Sequence, residues 1–334
     1  MSTAPLESPC SASLDGEPCE GAQSEGGGCL NPKASTSEEA HEPCPTPLSW
    51  QQVLSAFHDE STSWQLDNGD VTINGRTWGS GPPLYFLNGI SGTCDLYALS
   101  GWLLREDFRC VFFDYNTPSK PCRELADVAD DLISIADHHG DERFQLYASD
   151  FGAAVAMTTM ASFPERVERA VLQSAFIRRR WTMFEKLLLK IGLSKSKTMS
   201  AVPGFRIVNA QNHRPWFPPF DFGRWQFFAE NCGATPVQEV AARARMLGQF
   251  DLTANLPEIT QPTFLVYSEG VGKLVIDAQK KLEAGLSNVE SEWLHTCGQL
   301  PYLTHPHRLT KMIIPFLQGA LSDQVTDCEA AHAN

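Results

Sequence analysis

The sequence predicts an α/β fold: a mostly parallel central sheet with helices on both faces and an inserted helical cap. Three observations carry this. Short apolar runs bounded by turn residues (84–87, 110–113, 144–147, 167–172, 263–267) alternate with helix-length amphipathic stretches. That alternation is the pattern of strands buried on both faces and joined by crossover helices. The rhythm breaks at one long segment, 176–248, which is aromatic and basic. Finally, the strand-like run 144–147 passes into a small-residue helical run, 152–161, through a very short turn.

Taken in order, residues 1–48 are rich in Ser, Gly, Pro and Glu, with eight acids against Lys33 alone. Such a segment buries too little apolar surface to offset its ordering entropy, so a disordered acidic leader is expected. The folded domain is expected over 49–319, with order beginning near Trp50 and a flexible tail over 320–334. Asn74-Gly75 between 71–73 and 76–78 carries the signal of a hairpin turn. Pro82-Pro83 introduces the strand 84–87, which ends in Asn88-Gly89-Ile90-Ser91-Gly92-Thr93. A helix over about 95–104 and the strand 110–113 follow. An amphipathic helix is expected over 122–138, with Leu125, Val128, Ala129, Leu132, Ile133 and Ala136 on one stripe. After the segment 176–248 come the strand 263–267, a helix near 276–284, the strand 291–295 and a closing helix over 307–317.

Bulk properties exclude several functions. A formal net charge of −14 over 334 residues argues against a nucleic-acid role for the whole chain. No apolar run approaches the roughly 18 residues needed to span a bilayer, and the start of the chain lacks a secretory pattern. The ten cysteines are scattered without C-x-x-C spacing. Reduced thiols and a cytoplasmic location are the expectation. No H-E-x-x-H, Cys/His metal spacing, phosphate-binding loop or dinucleotide fingerprint occurs, so neither cofactor nor metal is expected.

The chemistry centres on Ala148-Ser149-Asp150-Phe151-Gly152. In register it resembles the strand-to-helix elbow G-x-S-x-G, whose middle residue is lifted above the carboxyl edge of the sheet. The tip holds Asp150. Either it is a carboxylate nucleophile, or it fills a lapsed Ser position at a helix N-terminus that favours negative charge. Ser149 is one residue off the tip. The backbone N–H groups of Ile90 and Phe151 are the expected oxyanion donors.

With the elbow, the loop after 84–87, the cap and the closing Gly298-Gln299-Leu300-Pro301-Tyr302-Leu303, residues 49–319 resemble the α/β-hydrolase fold. The stretches 86–95 and 298–303 are similar to maspardin-like proteins. The resemblance implies a catalytic His where this chain has Gln299, and a carboxamide cannot act as general base. It implies an acid after the strand 263–267, where Glu269 is present without the usual Asp. His295, His305 and His307 are nearby candidates for a displaced base, each also readable as a surface or packing imidazole. The leading expectation is therefore a maspardin-like pseudo-hydrolase acting in protein or endosomal-membrane interaction. The alternative is a hydrolase with Asp150 as nucleophile acting on ester, epoxide or halide substrates.

The cap's 176–197 stretch, with Arg178, Arg179, Arg180, Lys186 and Lys190, reads as a basic amphipathic helix. Its apolar face is expected to cover the domain's own pocket. The other reading is docking on an anionic membrane surface or in a protein partner's groove.

Overall fold

The structure, a computed structural model, describes residues 49–69, 71–115 and 123–319. The expected leader 1–48, the tail 320–334 and Cys122 at the expected start of the helix 122–138 lie outside the described residues.

Eight strands form one sheet among the described residues: β1 (Thr62–Asn68), β2 (Val71–Trp78), β3 (Pro83–Leu87), β4 (Arg109–Phe113), β5 (Phe144–Ser149), β6 (Val167–Gln173), β7 (Thr263–Ser268) and β8 (Val289–Leu294). Their order is β1-β2-β4-β3-β5-β6-β7-β8. The β1–β2 and β2–β4 pairs are antiparallel and the remaining pairs parallel. Every residue of β5, near the middle, is buried. The α/β expectation holds, and each apolar run singled out above is a strand.

The helices are α1 (Trp50–Glu60), α2 (Ala98–Leu104), α3 (Leu125–His139), α4 (Phe151–Ser162), α5 (Met183–Gly192), α6 (Phe205–His213), α7 (Phe222–Ala234), α8 (Val237–Gln249), α9 (Lys273–Glu283), α10 (Pro301–Thr304) and α11 (Pro306–Leu317). Leu125, Val128, Leu132 and Ile135 of α3 join the small residues of α4 in a core on one side of the sheet. Phe57 of α1, Leu99 and Leu104 of α2 and Ile313 and Phe316 of α11 build a separate core on the other. Helices α5 to α8 constitute the cap, between β6 and β7. Cys94, Cys110, Cys232 and Cys297 are buried free thiols.

Two expectations need correction. The first hairpin lies one strand earlier: Asn68 pairs with Val71 and Thr62 with Thr77, which puts Asn74-Gly75 inside β2. Gly75 is there for space. A Cβ at this position would meet the Trp64 ring at 2.2 Å and the Phe112 carbonyl oxygen at 2.3 Å. A glycine inside a strand can mark such a close approach instead of a turn. The basic cap helix is also shorter than 176–197. It begins after Thr182, whose hydroxyl accepts from the Glu185 N–H in a capping box, and ends at Gly192. Its apolar side is turned outward instead of inward over the domain: Met183 is 80% exposed, Phe184 68% and Leu187 54%.

Gly75→Ala is expected to cost about 1–3 kcal/mol, because the approaching groups include backbone that cannot move aside. Gly140→Ala should cost about 1 kcal/mol, since only its φ of 73° opposes a side chain and nothing lies within 4 Å. Urea unfolding of the two variants compares them directly.

Candidate active site

β5 ends at Ser149 and α4 starts at Phe151, so the whole change of direction falls on Asp150, at φ 52° and ψ −111°. A non-glycine residue in so sparse a region costs on the order of 1–3 kcal/mol and persists only where its surroundings fix it. Three contacts fix it. The Asp150 N–H donates to the Gln173 carbonyl on β6 at 3.1 Å, and the Asp150 carbonyl accepts from Ala153 N–H at 3.1 Å. Gly152 lets α4 lie against the end of β3, where a Cβ would meet the Leu87 carbonyl oxygen at 2.3 Å.

The two expected oxyanion donors meet the Asp150 carboxylate itself. Ile90 N–H donates to its Oδ2 at 3.4 Å, and the Phe151 N–H also bonds it. Burial raises the Asp150 carboxyl above its ordinary range; these two N–H groups and, more weakly, Arg179 oppose that rise. Ser149 is 3% exposed. Its hydroxyl lies 2.6 Å from that of Tyr97, which donates onward to the Leu87 carbonyl. It is a structural hydroxyl beneath the elbow.

Asp150 opens into a cavity of about 160 Å³ shared with Ile90, Ser149, Ser174, Asn209, His213 and Gln299. Gln299 therefore lies in the pocket, as the register implied. Its backbone carbonyl accepts from Gln173 Nε2 at 2.6 Å, and Gln173 in turn accepts from the Tyr147 hydroxyl at 2.8 Å. Glu269 does not line the cavity. Its carboxylate is 2.7 Å from His295 Nδ1 and accepts from the Thr296 N–H at 3.0 Å. The hydrogen bond from His295 leads in holding Glu269 below the usual range. The ends of β7 and β8 thus carry an acid–imidazole pair, but it is exposed and outside the pocket. His305 bonds the Thr304 hydroxyl at 3.0 Å, His307 lies in the first turn of α11, and neither lines the cavity.

Sequence reasoning missed His213, which α6 carries into the cavity from the cap. No motif marks it. Burial pushes its imidazole down to about 4, so it is neutral at pH 7. It packs edge-on to Phe228 at 5.3 Å and makes no ion pair with Asp150 within 4.0 Å. Two further polar atoms at this cavity, Ser174 Oγ and Asn209 Nδ2, are buried with no hydrogen-bond partner.

The cap also holds the donor loop. Asn231 Oδ1 accepts from Thr93 N–H at 2.8 Å, and Thr235 Oγ1 from Gly92 N–H at 2.9 Å. Arg243, buried on α8, donates to the carbonyls of Ile90 at 3.0 Å and Tyr115 at 2.8 Å and pairs with Glu239 at 2.9 Å. The residue that offers its N–H to Asp150 is therefore gripped through its own carbonyl by the cap.

Two outcomes are expected. Arg243→Met leaves two carbonyls and the Glu239 carboxylate without their donor, and should cost about 3–5 kcal/mol in urea unfolding. Asp150 has its folded-state pKa raised above 3.8, so the folded protein holds this proton more tightly than the unfolded chain. That contribution is complete below the unfolded value and is lost as pH rises through the folded one. Asp150→Asn should therefore gain thermal stability over the parent between pH about 4 and about 7. Melting curves at both pH values measure the difference, and a variant no more stable than the parent at neutral pH would contradict the assignment.

The alpha/beta hydrolase family model matches residues 75–311. Among solved structures, a hydrolase from Pseudomonas aeruginosa is 20% identical with a TM-score of 0.65, covering 76% of this chain and 98% of its own. A thermophilic esterase from Thermogutta terrifontis is 17% identical with a TM-score of 0.66, covering 77% and 98%. Naproxen esterase from Bacillus subtilis is 16% identical with a TM-score of 0.59, covering 80% and 95%. At these identities the likeness shows the fold.

Proposed function

The chain belongs to the alpha/beta hydrolase family, and on that premise we propose that it uses Asp150 as a carboxylate nucleophile toward small ester, epoxide or halide substrates. The observation that carries this is the placement of Asp150: at the strained tip of the elbow, open to the cavity, with the Ile90 and Phe151 N–H groups on its carboxylate. With Oδ2 held by Ile90, the other oxygen attacks carbon. For a halide this forms a C–O ester bond to Asp150 as halide ion leaves; for an epoxide the same bond forms as one ring C–O bond breaks, and the resulting alkoxide, still on the substrate, takes a proton from water. The same two N–H groups then face the carbonyl oxygen of the new ester, where negative charge develops when water attacks. The pocket suits a short substrate, since 160 Å³ corresponds to about five water volumes. Asn209 Nδ2 offers a donor, and Ser174 Oγ a donor or acceptor, to a substrate oxygen.

Release of the product needs a base for water, and the usual position holds Gln299. His213 is the cavity's imidazole, and its neutrality leaves a lone pair free at pH 7. Its separation from Asp150 makes the hydrolytic step the slow one.

Gln299 favours a second reading, in which the pocket binds a ligand without turning it over and the protein works through interactions.

Intact-mass measurement after incubation with a short bromoalkane and with a small epoxide separates the two. The expected result is a single alkyl adduct on Asp150, absent in Asp150→Asn. Its decay should slow by about 10²–10⁴-fold in His213→Gln if the imidazole serves as base. The absence of any adduct on the parent protein rules out the nucleophile and leaves the interaction reading.

A further inference from the structure

Among the described residues, the outer face of α5 gathers five of the exposed large hydrophobic side chains on one short helix. Met183, Phe184, Leu187, Leu188 and Ile191 are 80, 68, 54, 50 and 46% exposed. At 100° per residue they occupy one continuous arc of the helix, bordered on one side by Lys186 and Lys190. The opposite side faces the protein: Gly192 is buried, and a Cβ there would touch the Ala241 side chain at 3.0 Å. The arc is convex, and its helix is capped, so it does not depend on a partner to form.

Charge identifies what covers it. Between 178 and 197 there are seven Lys and Arg against Glu185 alone, in a chain of net charge −14. Two of these cations are engaged within the protein: Arg178 faces Asp251 at 3.9 Å, and Arg179 stacks over Trp181 at 4.5 Å. Glu185 is occupied with the Thr182 N–H and hydroxyl, both at 2.8 Å. Lys186 and Lys190 remain exposed at the edge of the apolar arc, followed by exposed Lys195 and Lys197. An apolar arc beside lysines is the arrangement by which a helix lies in the plane of an anionic bilayer, side chains in the acyl boundary and ammonium groups among the headgroups. The strongly acidic remainder of the chain would be repelled by the same surface, which makes the approach one-sided. A second copy meeting this face through its own α5 would bring the lysines of both copies together.

We propose that α5 docks the protein on anionic lipid surfaces, inserting Phe184, Leu187, Leu188 and Ile191 with Lys186 and Lys190 at the headgroups. The test is sedimentation of the full chain with vesicles of phosphatidylcholine alone and of phosphatidylcholine with phosphatidylserine at a 7:3 ratio. Binding is expected to the mixed vesicles, to fall steeply with added salt, and to be much weaker on phosphatidylcholine alone. Lys186→Glu with Lys190→Glu should lower the partition coefficient at least about tenfold, and Leu187→Asp with Ile191→Asp should abolish binding. Because all four side chains are exposed, thermal melting of both variants should match the parent, which separates lost docking from lost folding. Asp150→Asn should bind vesicles as the parent does, whatever the fate of the catalytic reading. Failure of the parent to bind the mixed vesicles, or equal binding by the variants, overturns the proposal. So does a dimer in solution that Leu187→Asp dissociates while no vesicles are bound.

Discussion

The single-residue turn at Asp150 is the constraint on which the site depends. A parallel strand that ends at the carboxyl edge and reverses into a helix within one residue has few backbone solutions. The one adopted here places a non-glycine residue at φ 52°. It is affordable because β3, β6 and the first turn of α4 each supply a contact, and because Gly152 removes the one side chain that would push helix and sheet apart. The consequence is chemical. The geometry that strains the backbone also aims the Phe151 N–H and the tip carboxylate at the same place, beside the Ile90 N–H.

The cap is the second element of the same device. Asn231, Thr235 and Arg243 replace bulk water around the loop at Gly92, Thr93 and Ile90 with fixed partners. A donor loop held in this way has its N–H groups pre-aimed, which is the condition for electrostatic stabilisation to act without reorganisation. Arg243 is itself a buried charge, and its neighbours are arranged to keep it one: Glu239 beside it and two carbonyls in front of it.

Much of this was legible in the sequence. The strands announced themselves because central parallel strands are buried on both faces and read as apolar runs. The elbow was legible because its register is set by Gly152 and a strand–helix junction. Gln299 and Ile90 were located instead through the resemblance of the closing segment and of the loop after 84–87 to the family's pattern. The edge of the sheet was harder. β1, with sequence TSWQLDN, is half exposed and carries little apolar signal, and Asn74-Gly75 drew the expected turn past Val71–Ile73 into the interior of β2. His213 was invisible for a different reason. Its role depends on how α6 is laid over the sheet, a tertiary fact with no local spacing to betray it. Glu269 was found as a residue but not as a partner, since its pairing with His295 joins the ends of two strands 26 residues apart. Between the two readings of the basic cap helix the sequence could not choose, because periodicity identifies a face but not what it faces.

Arg243 has one more implication, for traffic through the pocket. Many enzymes admit substrate by lifting a lid, and the lid's hinges carry the motion. Here a cap helix that lines the cavity, α7, is fastened through Asn231 to the Thr93 N–H, in the same loop that Arg243 of α8 holds by the Ile90 carbonyl. Raising it would disassemble the donor loop in the same movement. A molecule that reached the cavity without that cost would have to pass between side chains while the frame stays shut.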